Sequence, residues 1–510
     1  MKKLIFLSVI LLSFSLSVIS QNIDDALRYS EQIQSGTGRF NSMAGAFAAL
    51  GGDLSTLSQN PAGVGVYRSS EFSFTPIMYS GKSISYFKSN NTEDESFKFN
   101  ASQLGVVYSF SYPNRERGLV SLNFGYSMNM MNNYDQSAII RGIGNSSSMS
   151  DHWANVASNG YPEPEGGGYY SDELAGNVPD TYLAWSTYLI DTASNLRKTY
   201  GSAFSNYGGE ASVYGQTIKR LISNSGYSRE NDFSIGANIS DKLYLGATFG
   251  FANFEYRSTY QHSESVPAEL GLSSLLSSFN YTLTYSNIAS GFNFKLGAIY
   301  RPVESLRLAF AYHTPTNYRV DAYVSDNMST YFTGVTDRRD NTSYSISNTA
   351  SVFEYRLKTP SRALFGLAYQ IANFGMVSVD YELVDYGRAK FYETGDGYDY
   401  TKHNYDIRNY LSTVSNIRAG AEFRVSNLYF RGGYAYYGSP WIEGDYNSDN
   451  SKNLIATGLG FRSGNFMIDF SYSLLVAPQT YKLYDAPAET AIADIDNTTN
   501  SFALTLGYRF

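Results

Sequence analysis

The sequence predicts an all-β chain, a 14-stranded antiparallel transmembrane β-barrel. Three observations carry that expectation. Two-residue alternation recurs from about Glu71 to the last residue, Phe510. The chain holds 46 Tyr, 32 Phe and 44 Gly with only 16% charged residues, which suits a barrel with aromatic girdles. Connections between alternating segments are by turns very short and long, as when tight turns line one rim and loops the other.

In chain order, residues 1–20 read as a signal peptide. Lys2 and Lys3 form a positive start, Leu4 to Ile19 is apolar, and Val18-Ile19-Ser20 offers small residues for cleavage before Gln21. The run is short for an anchoring helix and has no basic flank after it. Beyond Ile19 no apolar run of about 18 residues remains, so helices cannot span a bilayer. With no cysteine, the chain can have no lipidated N-terminus, disulfide framework or thiolate metal site. A net charge of −8 without a basic face points away from a nucleic-acid partner.

Met43 to Gly63, "MAGAFAALGGDLSTLSQNPAG", reads as two short helical pieces hinged at Gly51-Gly52. Small residues pack one side, Asp53 caps the second piece, and Asn60-Pro61 stops it.

Alternating segments then fall at about 71–89, 99–111, 119–137, 228–240, 242–262, 281–301, 305–325, 357–371, 374–390, 413–426, 427–440, 452–463, 465–480 and 500–510. In the last, Phe502, Leu504, Leu506, Tyr508 and Phe510 share one face. Ile417, Ala419, Ala421, Phe423 and Val425 repeat the rule, opposite Arg418, Gly420, Glu422 and Arg424. A soluble β-sandwich also alternates. Here the polar faces carry small residues and opposite charges, as a wet lumen would. Tight connections are expected at Pro113–Gly118, Ser240-Asp241, Pro302-Val303-Glu304, Ala372-Asn373, Ser426-Asn427 and Ser463-Gly464. An even strand number puts both barrel ends on that rim.

The longest connection, 138–227, is expected to be an extracellular loop with a flexible centre at Tyr161–Tyr170. Two helical pieces are expected in it, Asp180–Leu196 and Ser212–Ser223. It is either a solvated insertion or a lid over the barrel mouth.

The blocks Met43–Phe47, Leu50–Asp53 and Asn60-Pro61-Ala62-Gly63 resemble the N-terminal hatch signature of the FadL family, outer-membrane transporters of long-chain fatty acids and aromatic hydrocarbons. "KLGAIYRPVESLRLAFAYHTPTNY" (Lys295–Tyr318), "TPSRALFGLAYQ" (Thr359–Gln370) and the stretch from Ile417 to Pro440 extend the resemblance over nearly the whole chain apart from the long loops. It implies a barrel at 69–510 plugged by a small helical hatch, residues 21–68, in its lumen. The hatch motif then comprises Gly45, Gly51, Gly52, Asp53, Asn60, Pro61, Ala62 and Gly63. A barrel of this size would leak without such a filling.

The implied function is uptake of fatty acids or other hydrophobic small molecules across the bacterial outer membrane. Ligand is captured by loops, passes to a pocket above the hatch and leaves sideways through a gap at the kinked third strand. Gly125, Met128 and Met130, with Met131, are the candidates for that lateral opening. The long loop after the third strand departs from the family's usual capture groove.

Lumen-facing charges are expected at Lys295, Arg307, Asp380, Glu382, Arg418, Glu422, Arg424, Arg431, Asp469 and Arg509, mostly as ion pairs. Any left unpaired would bind a fatty-acid carboxylate, Arg418, Arg431, Arg307 and Lys295 foremost. Phe510 resembles the terminal aromatic read by barrel-insertion machinery. A monomer in contact with outer-membrane lipids is expected, with no cofactor. The four histidines, His152, His262, His313 and His403, form no catalytic arrangement, so an enzyme is not expected. A haem or small-hydrophobe receptor and a general porin are the alternatives on the same barrel.

Overall fold

The computed structural model describes residues 23–112, 118–160, 168–192, 198–205, 213–270, 272, 274–333, 342–348, 350–395 and 398–510. The expected signal peptide, most of the Pro113–Gly118 turn and most of the Tyr161–Tyr170 stretch lie outside them.

Fourteen wall strands close on themselves. They are β1 (Glu71–Phe87), β2 (Asn90–Ser111), β3 (Leu119–Asn133, continued by Gln136–Ile143), β4 (Thr217–Ile239), β5 (Leu243–Ser265), β6 (Leu276–Val303) and β7 (Leu306–His313 with Asn317–Phe332). There follow β8 (Ser351–Lys358 with Arg362–Ile371), β9 (Gly375–Asp385), β10 (Thr413–Val425), β11 (Leu428–Tyr437), β12 (Lys452–Ser463), β13 (Phe466–Ala486) and β14 (Glu489–Arg509). Each pairs antiparallel with the next, and β14 pairs with β1 from Glu71↔Arg509 to Tyr86↔Asp494.

The alternation is inside out relative to a soluble sandwich. Leu308, Phe310, Ile417, Phe423, Ile468, Phe470, Leu504 and Leu506 are exposed on the outer surface, while Lys295, Asp380, Arg418 and Glu422 between such residues are buried within. That is the outer surface of a membrane barrel. No helix among the described residues is long and apolar enough to cross a membrane.

Turn chemistry matches the short rim. Ser240, Asp241, Ala372, Ser426 and Gly464 all take positive φ, as two-residue hairpin turns with the strands' own twist require.

Several boundaries differ from expectation. Residues 90–98 continue β2, and 481–499 are the ends of β13 and β14, so two expected loops are tight hairpins on long strands. In those extensions the outward positions are mostly polar and the buried ones, such as Ala491, Ala493 and Ile495, are apolar, the reverse of the lipid-facing pattern. The helix expected at Ser212–Ser223 is instead largely the start of β4. Ile218, Leu221 and Ile222 fall at helical spacing, but backbone pairing on both sides overrides it. Among the described residues of Asp180–Leu196, the helix is Pro179–Ser186; a small hairpin, Ile190–Thr192 with Tyr200–Ser202, follows, and the end of the expected helix lies outside the described residues.

The chain before β1 folds as α1 (Ile23–Ser30), α2 (Gly38–Ser42), α3 (Thr56–Gln59) and a 3-10 turn, Pro61–Val66. In the long loop lie α4 (Met149–Asn159), α5 (Leu174–Asn177) and α6 (Pro179–Ser186). They pack on the upper ends of β3, β4, β6, β7, β13 and β14 in one apolar cluster around Trp153, Phe279 and Tyr281. A final helix, α7 (Thr401–Tyr410), lies between β9 and β10.

Candidate ligand chamber and wall break

The inner segment, residues 36–67, is almost wholly buried, and its hydrogen bonds run to strands around the barrel. Gly38 N donates to Thr505 Oγ1 at 2.6 Å, and Ala48 N to Asp380 Oδ2 at 2.8 Å. Asn123 Nδ2 donates to Val64 O at 2.7 Å, Thr248 Oγ1 to Leu57 O at 2.9 Å, and His313 Nε2 lies 2.7 Å from Gln59 O.

Within the segment the motif residues hold one another. Gly45, Gly51 and Gly52 take positive φ. Gly51 and Gly63 lie back to back, since a β-carbon on Gly51 would stand 2.9 Å from Gly63 Cα. Asp53 accepts from Ser55 N at 2.9 Å and from Thr37 Oγ1 at 2.8 Å, tying the helix start to the earlier loop. Asn60 Oδ1 accepts from Ala62 N at 3.1 Å while its amide donates to Ala48 O at 2.6 Å. Pro61 opens the 3-10 turn, where its missing N–H costs nothing.

The wall makes room with glycine. A β-carbon on Gly246 would collide with the backbone of Pro61, one on Gly236 with that of Gly65, and one on Gly433 with that of Met43. Gly366 and Gly420 likewise face Ala48 and Met43. Sequence reasoning missed this belt, although its signal is present: glycines at inward positions of neighbouring strands. Gly125 belongs to it. It sits in regular pairing between Val107 and Ser234, and the space beside it is filled by Leu57.

The four candidate cations all have partners. Lys295 Nζ pairs with Glu230 at 2.7 Å and Asp232 at 3.4 Å. Arg418 pairs with Glu382 at 3.0 Å, and Glu382 also takes Arg362 at 2.8 Å. Arg431 bridges Glu422 and Asp469, both at 2.6 Å. Arg307 donates to the carbonyl of Leu50. Their geometry is structural, wall to wall or wall to inner segment. Arg39 of α2 reaches Glu422 at 2.9 Å, and beside it a polar cavity of about 480 Å³ opens toward the turn rim.

The wall is not uniformly paired. β2 and β3 run together from Ser111↔Ser121 to Gln103↔Asn129, and there the ladder stops. Above it β3 turns inward and bonds to the inner chain instead: Ser35 N donates to Met130 O at 2.9 Å and Ile33 N to Met131 O at 3.0 Å. Tyr79 on β1 reaches both Ser35 Oγ and Met130 Sδ. A β-bulge at Thr75/Pro76 and an irregular step at Met130/Asn132 bracket the change. Met130 and Met131 are therefore at the break, Met128 is the last paired methionine below it, and Gly125 lies lower in the regular wall. On the open edge of β2, Phe97 and Phe99 are 63% and 72% exposed, the highest among the described large apolar side chains together with Phe466 and Tyr405.

Inside, between the break and the loops, a small cavity of about 80 Å³ is lined by Ile33, Ser35, Gly45, Tyr79, Tyr437 and Leu454. Above the inner segment these walls carry a buried aromatic cluster of Phe254, Tyr256, Tyr318, Tyr355 and Phe391, with α1 packed in it.

The histidines are engaged in hydrogen bonds with protein groups: His262 with Arg220 and Glu264, His152 with Asp485 O, His403 with Tyr398, and His313 as above. Among the described residues no group of three His, Cys, Asp or Glu is placed to hold a metal ion.

No protein-family model matches the chain, and no curated protein sequence does. Solved structures do match in fold. A Pseudomonas aeruginosa FadL homologue aligns with TM-score 0.53 and 13% identity, over 94% of this chain and 100% of that one. The Pseudomonas putida toluene transporter TodX aligns with TM-score 0.51 and 11% identity, also over 94% and 100%. The fold is that of FadL-type outer-membrane transporters.

Proposed function

We propose that the protein carries hydrophobic small molecules inward across the outer membrane, and that the inner segment gates their passage. The wall break is the observation that carries the reading. A ladder that stops at Asn129, beside methionines inside and exposed phenylalanines outside, leaves a route through the wall rather than along the lumen. A lateral route suits an apolar cargo, which loses about 0.8 kcal/mol per CH₂ when it must return to water.

Two matched neighbours support the class of cargo: one is a FadL homologue and the other is described as a toluene transporter. A general porin fits less well, because residues 36–67 fill the barrel and bond to its wall. A haem receptor has little to draw on in these histidines. We take the protein to act as a monomer, and its cargo as a fatty acid or another compact apolar compound. The ion-paired state of Arg418, Arg431 and Lys295 argues against these three as the anchor of a carboxylate, whereas Arg307 is held by the Leu50 carbonyl.

The test is flux. Proteoliposomes carrying the full chain should take up radiolabelled toluene or oleate faster than empty ones, and conduct ions poorly. Fixing the inner chain at the break should abolish the flux: a disulfide between cysteines placed at Ser35 and Met130, which form a bridged pair, is the variant, and reduction should restore it. Porin-like conductance, or flux indifferent to the closure, overturns the reading.

A further inference from the structure

On one side of the lumen the wall buries more negative charge than positive. Glu230 and Asp232 of β4 both face inward and are buried. The cation that meets them is Lys295 of β6, itself buried, at 2.7 Å from Glu230 and 3.4 Å from Asp232. Arg362 and Arg418, further round the wall, are both taken by Glu382. Two carboxylates against one ammonium leave one negative charge over. A buried charge left uncompensated is costly, so something positive belongs beside it.

The oxygens around this cluster are short of donors. Asp232 Oδ2, Asn293 Oδ1 on β6 and Asn129 Oδ1 on β3 are buried without a hydrogen-bond partner among the described residues. Both amides spend their N–H groups elsewhere: Asn293 donates to Thr316 Oγ1 at 3.0 Å, and Asn129 to Ser127 Oγ at 2.9 Å. The strand registers gather these groups. Asn129 pairs across from Glu230, while Gly250 of β5 stands between Asp232 on one side and Asn293 on the other. A β-carbon on Gly250 would collide with Glu230 Oε1 and lie 2.6 Å from Asn293 Oδ1. Both oxygens therefore point into the one hollow that the glycine leaves.

We infer that this cluster is a binding site for a hard monovalent cation such as sodium, held by Glu230, Asp232, Asn293 and Asn129. The donors are all oxygen, from carboxylates and amide carbonyls, which suits a hard ion rather than a soft one. A single positive charge balances the surplus. A divalent ion would leave an excess of positive charge beside Lys295. The ion also bears on closure, because Lys295 pairs in register with Thr248, which holds the carbonyl of Leu57 in α3. An ion bound only by the folded barrel stabilises it by mass action.

The test is the unfolding midpoint of the full chain in detergent, in sodium chloride and in N-methylglucamine chloride of equal strength. The native midpoint is expected to be about 5 °C higher in sodium and to rise with the logarithm of its concentration. Asp232→Asn removes the surplus charge. It is expected to lose the sodium dependence and, in N-methylglucamine, to match or exceed the native midpoint. Glu230→Gln is the second variant, with the same expectation. A purely structural role for these carboxylates would instead lower the midpoint in both salts and leave the sodium dependence in place, which overturns the inference. Equal native midpoints in the two salts overturn it too. A proton shared by Glu230 and Asp232, or an Asn293 amide turned to donate to Glu230, would then satisfy the site.

Discussion

A β-carbon on Gly297 of β6 would collide with Asn60 Oδ1, so the wall is shaped at this point to the side chain that caps the 3-10 turn. Asn60 cannot yield easily, because its carboxamide also holds Ala62 N and Ala48 O.

Gly297→Val should therefore unseat the inner segment without unfolding the barrel. The expected result is a heat-modifiable barrel with large ion conductance in planar bilayers, where the native chain conducts poorly. A Gly297→Val barrel as tight as the native one would show that the contact has no part in closure.

Arg431 sits between Glu422 and Asp469 with its side chain fully buried. Removing one partner from such a site costs about 3–5 kcal/mol, because the remaining charges stay buried and uncompensated. Arg431→Ala should lower the denaturant midpoint accordingly. Arg68→Ala, whose partner Asp241 is exposed, should change it by less than about 1 kcal/mol.

Burial pushes the Asp25 carboxyl up to about 7, against the pull of Arg28 and helped by neighbouring Asp24. The docked helix thus holds its proton more tightly than the released one. Docking is strongest below the ordinary carboxylate value of 3.8, weakens as pH rises toward about 7, and is level above that. Because the chain lacks cysteine, a single spin label at Ile23→Cys reports this directly. Its mobility should rise from acid toward neutral pH, and Asp25→Asn should abolish the rise.

Ala62 packs with Tyr244 and Ile299 of the wall. A disulfide between Ala62→Cys and Ile299→Cys should block uptake while leaving ligand binding in place, and reduction should restore uptake. Transport at the native rate with the tether closed would place the whole of gating at the break near Met130.

Phe510 N donates to Ser70 O at 3.0 Å, and its ring meets Tyr108 and Tyr508. Deleting Phe510 should lower the amount of folded barrel in cells while secretion across the inner membrane continues. Immunoblots of heat-modifiable protein against total protein measure the difference.

The sequence by itself determined the barrel, because lipid outside and a wet lumen inside force opposite demands on successive side chains. Phe423 and Arg418 are readable as outer and inner residues from alternation alone. It determined the compact turns from Gly51 to Gly63 for a similar local reason, since positive φ and the Asn60-Pro61 pair act over a few residues. Where one of those forces ends, legibility ends. Beyond the bilayer, residues 90–96 and 217–223 have no apolar outward side to reveal a strand, and only pairing with neighbouring strands decided their form. The partners of Lys295 and Arg431 were likewise a tertiary matter, because the strands that meet them are set by barrel closure. So was the place of the wall break: it depends on Ile33 and Ser35 reaching Met131 and Met130 with the whole of β1 and β2 in between. And the belt of glycines from Gly125 to Gly433 acquired its meaning only once the inner segment lay against it, since a missing side chain is informative only when something occupies its space.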